Sequence, residues 1–252
     1  MKRFVLLSIF ALVSIVFLFS ESVIATDNVR LWFHKETSSK DIYAYPDFSG
    51  DKTVLWEDAI KQYQIPEDKL SSMTTEDLIV ACLDYPLFAG GIVFSNESMY
   101  AGFQETVKQF NGLCELLLRK DSGEKLIKLY INTDLKEILS SDPYPILRMK
   151  YLEYIIAQKI ILNGVASEDL KKLCDFCSSR LQKESDSYNL FMPDSTLLIL
   201  LRIYEIEDEY FNEKLKDHPR VLSFVDNGVF ETITEDDTKA MMEYIKQRTG
   251  VK

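Results

Sequence analysis

The sequence predicts an all-α protein built of antiparallel helical hairpins behind an irregular, aromatic-rich amino-terminal segment. Three observations carry that expectation. Beyond residue 72 apolar residues recur at steps of three and four, the period of one buried helical face. Helix-opening residues return every 22 to 26 positions, near Thr75, Ser98, Gly123, Pro145, Glu168, Asp194 and Pro219, each marked by a hydroxyl, an acid or a first-turn proline. Leu197 to Leu201 and Ile203 are apolar on nearly all sides, the composition of a helix enclosed by neighbours. Taken in pairs, the helices repeat at a length near that of HEAT or armadillo units. No residue-level self-similarity accompanies the spacing, so an open α-α array and a closed bundle both satisfy it.

At the start, Lys2 and Arg3 precede an apolar run from Phe4 to Phe19, and Glu21 closes it. A charged opening, a run short for a bilayer span and the small residues of Val23-Ile24-Ala25 predict a secretory signal over residues 1–25, with Thr26 as the first mature residue; an uncleaved anchor is the alternative. The expected location is therefore secreted or periplasmic, with no stable membrane span after cleavage. Removing Lys2, Arg3 and Glu21 from 29 bases and 40 acids leaves 27 and 39, a formal net charge of −12. That charge repels phosphate backbones and argues against a nucleic-acid partner.

Residues 26–72 differ from the rest. Trp32, Phe33, Tyr43, Tyr45, Phe48 and Trp56 crowd a stretch with Pro46, Gly50 and few periodic leucines. Such rings form either a strap against the helices or a stacking surface for a sugar or peptide, and Trp32, Tyr43, Tyr45 and Trp56 are the candidate binding residues. Val54 to Tyr63 reads as a short helix ended by Ile65-Pro66.

The helical region covers residues 73–252. Thr74 and Thr75 offer hydroxyls to a first helical turn, Glu76 and Asp77 suit its positive end, and Pro86 stops the helix near Asp84. Met99, Phe103, Val107, Phe110, Cys114 and Leu117 then keep one phase, which favours a single helix running through Asn111-Gly112, with a break into two helices at that pair as the alternative. The pieces MTTEDL, CLDYPLF, Gly102-Phe103 and FNGLCELLLR resemble a family of secreted, all-helical proteins of unknown function from gram-negative gut bacteria. The resemblance implies an exported helical protein and supplies no catalytic or binding residues. Leu170, Leu173, Cys174, Cys177 and Leu181 make the stripe of a later helix. The last helix opens at Thr234 with Glu235, Asp236 and Asp237 and closes on Lys246, Arg248 and Gly250.

Chemistry is sparse. Cys82, Cys114, Cys174 and Cys177 all fall at apolar-phase positions and read as core thiols, with a disulfide or a metal as alternatives. His34 and His218 lack metal-ligand spacing to any other group, and no cofactor motif is present. Glu205, Glu207, Asp208 and Glu209 form the densest acid cluster, which reads as a solvated helix face, with a site for a hard cation such as calcium as the alternative. Two classes of function fit. One is a non-catalytic protein- or peptide-binding scaffold of the cell envelope. The other is a carboxylate-based hydrolase acting on glycans, which needs a paired Asp and Glu facing one cleft.

Overall fold

A computed structural model of the chain describes residues 43–46, 56–88, 98–133, 143–184, 194–230 and 232–249. Within them the fold is all-α: thirteen helices and no strand. Helix α1 is Trp56–Gln62 and α2 is Glu67–Ser72, which Pro66 precedes. Helix α3, Thr75–Leu83, opens where the Thr74 hydroxyl accepts the Asp77 N–H at 3.1 Å, and closes at Asp84 before Pro86. Helix α4, Met99–Gln109, opens in the same way, with Ser98 Oγ accepting the Ala101 N–H at 3.0 Å. Then follow α5 (Asn111–Leu118), α6 (Ser122–Asn132) and α7 (Pro143–Ile156). Next are α8 (Lys159–Asn163), α9 (Ser167–Glu184) and α10 (Asp194–Glu207). The chain closes with α11 (Phe211–Lys214), α12 (Pro219–Asn227) and α13 (Glu235–Thr249). Pro219 occupies the first turn of α12, and Gly228 ends that helix at a φ of 71° with the Tyr100 ring against it. The short helices α2, α8 and α11 are additions to the expected set.

The predicted single helix across Gly112 is two helices. Phe110 is extended, at φ −106° and ψ 114°, and separates α4 from α5. Three contacts hold the break. The Phe110 ring is fully buried and stacks on Tyr85 at 3.9 Å between centroids. The Asn111 side chain pairs with the backbone of Ile65, accepting its N–H at 3.0 Å and donating to its carbonyl at 2.7 Å. A Cβ at Gly112 would lie 2.4 Å from the Phe110 ring, so only glycine lets that ring fold back. The break resets the phase: α5 buries Leu113 and Leu116, while Cys114, expected in the core, is exposed. Cys82 and Cys177 are buried as expected and Cys174 is half-buried, and all four thiols are free.

Two helices organise the packing. α7 touches α3, α4, α6, α8 and α10, and α10 touches α7, α8, α9, α11 and α12. These contacts join each of the two helices to its own hairpin, to an adjacent one or to the short helix between them, which an open array and a closed bundle both allow. Leu197 to Leu201 and Ile203 are at most 2% exposed, the enclosed helix their composition predicts. One apolar core runs from Ile65 to Ile245, and Tyr43, Tyr45 and Tyr63 pack against it. The aromatic segment and the helices thus share a core across residue 72.

Candidate functional site

Of the four sequence candidates, Trp32 lies outside the described residues. Trp56 is the first residue of α1 and its side chain also lies outside them. Tyr43 and Tyr45 meet edge to face at 4.8 Å. Tyr45 in turn meets Tyr63 at 6.1 Å, Tyr85 at 5.9 Å and Phe110 at 6.4 Å, and its hydroxyl donates to the Ala81 carbonyl of α3 at 2.9 Å. Burial, with the nearby Cys82, pushes the Tyr45 phenol well above its ordinary range. This is the strap arrangement: Tyr45 presents its faces to other rings of the fold, and its polar end is committed to a backbone carbonyl.

The residues that sequence reasoning missed are buried charges, concentrated on α7. Arg148 meets Asp84 at 2.5 Å, tying α7 to the end of α3. Lys150 meets Asp194 at 2.6 Å, and the Tyr154 hydroxyl donates to the other oxygen of Asp194 at 2.7 Å. Glu153, 2% exposed, collects four donors. Tyr130 reaches it at 2.6 Å, Arg180 at 2.5 Å, Thr196 at 3.1 Å, and Ser195 makes a short bond to its second oxygen. A hydroxyl on a carboxylate can activate a nucleophile, but Ser195 is 1% exposed, lines neither cavity described below and sits opposite a carboxylate already saturated by Arg180 and Tyr130. The group closes the amino end of α10 against α6, α7 and α9. Its energetics are those of a buried network, in which losing one partner costs about 3–5 kcal/mol.

The remaining charges serve the carboxyl-terminal helices. Arg202, 2% exposed, donates to the carbonyls of Val225 (2.7 Å), Asp226 (2.9 Å) and Ala157 (2.7 Å) and to the Tyr100 hydroxyl (2.9 Å). These carbonyls end α12 and follow α7, so helix dipoles supply the negative charge that a carboxylate would otherwise provide. Asp208 accepts from Tyr244 at 2.6 Å and Lys214 at 2.9 Å, which holds its carboxyl well below the usual range. Asp237 is lowered chiefly by its bonds from Thr234, and His218 meets it at 3.2 Å. Asp208, expected on a solvated face, is thus an anchor for α13. Among the described residues no group of three or more His, Cys, Asp and Glu is placed to hold a metal.

Among the described residues, the exposed large apolar side chains lie elsewhere. Leu118 at the end of α5 is 71% exposed, Ile160 on α8 52%, Ile206 at the end of α10 39%, and Tyr210 54%. α8 packs against α5, α6 and α10, and a cavity flanks it on each side. The first, about 160 Å³, is lined by Leu117, Leu118, Lys120, Ile160 and Ile161, with Arg119 beside them. The second, about 580 Å³, is lined by Leu162, Val165, Ile206, Glu207 and Arg248. The strip from Leu118 over α8 to Ile206 is the candidate interaction surface. No sequence signal marked it, because it depends on where α5, α8 and α10 end relative to one another. No family model, curated protein or solved structure matches the chain.

Proposed function

We propose that the protein is a non-catalytic protein- or peptide-binding module of the cell envelope, exported through residues 1–25, and that it binds through the strip along α8. The observation that carries the reading is the exposure of Leu118 and Ile160 on the rim of a cavity whose lining holds no carboxylate. Apolar side chains left in water beside a concavity favour association. The signal-like leader and the resemblance to secreted helical proteins point to the same compartment.

A glycan hydrolase is favoured less. It needs two carboxylates across one cleft, one of them held protonated by a raised pKa. Glu207 is the one carboxylate lining the two cavities, and Asp208 and Asp237 are shifted the opposite way by their donors. Capture from envelope extract by the wild type and by a Leu118→Asp, Ile160→Asp double variant tests the proposal. The variant should lose capture with its melting temperature intact, because both side chains are exposed. Equal capture by the two proteins contradicts the assigned surface.

A further inference from the structure

We draw no further inference here: the strongest candidate, the exposed apolar strip from Leu118 over Ile160 to Ile206 with the cavity on each side of α8, belongs to the surface already described, and nothing in the structure shows what covers it, since exposed Asp121 and Glu124 offset Lys120 at one end and Asp208 already faces Arg248 at the other.

Discussion

Replacing Arg202 by methionine removes a 2%-exposed guanidinium while filling most of its volume, which isolates the cost of its hydrogen bonds from that of a cavity. Two of its acceptors, the carbonyls of Val225 and Ala157, are then left buried without the donors at 2.7 Å that satisfy them. The Tyr100 hydroxyl keeps a bond from Gln158 at 3.2 Å, and the Asp226 carbonyl is half-exposed and can take water. Counting about 1–3 kcal/mol for each stranded carbonyl, and adding the lost contact with the Tyr100 ring, gives about 3–5 kcal/mol. For a protein of this size that corresponds to a melting temperature lower by roughly 10 °C. Arg202→Lys retains the charge but not the fork that reaches α7 and α12 together, and should cost about 2 kcal/mol. Urea unfolding followed by circular dichroism measures both. A methionine variant within about 1 kcal/mol of wild type refutes the reasoning, because it means the desolvation of an arginine without a carboxylate partner cancels everything its bonds contribute.

Other expectations follow from the same contacts. Tyr45→Phe, which leaves the Ala81 carbonyl without its side-chain donor, should cost about 1 kcal/mol, and Tyr45→Ala about 3–5 kcal/mol, in chemical denaturation. Asp208 has a folded pKa below its unfolded value, so its stabilisation is complete above about pH 4 and is lost as pH falls through the folded value; the acid loss of stability should be smaller in Asp208→Asn. Under native conditions Cys114 should react with an aromatic disulfide reagent well before buried Cys82 and Cys177, whose thiols burial also pushes up; three or four equally fast thiols would contradict the packing. Intact mass of protein from the native envelope should correspond to a chain beginning at Thr26.

The helix starts were legible because their signals are local. Thr74, Ser98 and Thr234 bond to N–H groups three residues ahead, and Pro219 occupies a first turn. The break at Phe110 was legible only as an alternative signalled by Asn111-Gly112, because the apolar spacing of the sequence runs on across it and its cause, the pairing of Asn111 with Ile65, spans 46 residues. The buried charges of α7 were hidden for the same reason, since Arg148, Lys150 and Glu153 find partners on four different helices or their ends. A clue was present: charges scattered through PILRMKYLEYII give that helix no polar face of its own, so an enclosed α7 must bury them. The aromatic density near Tyr45 was visible as composition, but composition alone does not distinguish a strap from a platform. The α8 strip left no trace in periodicity, because exposure at Leu118 and Ile160 follows from chain ends and a five-residue helix.

The central claim is that this molecule acts by contact through the strip along α8. Photo-crosslinking in intact cells tests it most directly, with a benzophenone side chain at position 160, at position 43 beside the Tyr45 strap, and at position 105 on the exposed part of α4. A discrete covalent adduct from position 160, weakened by Leu118→Asp and not matched from position 105, is the predicted result. An adduct from position 43 with none from position 160 would contradict the account and return the site to the aromatic segment.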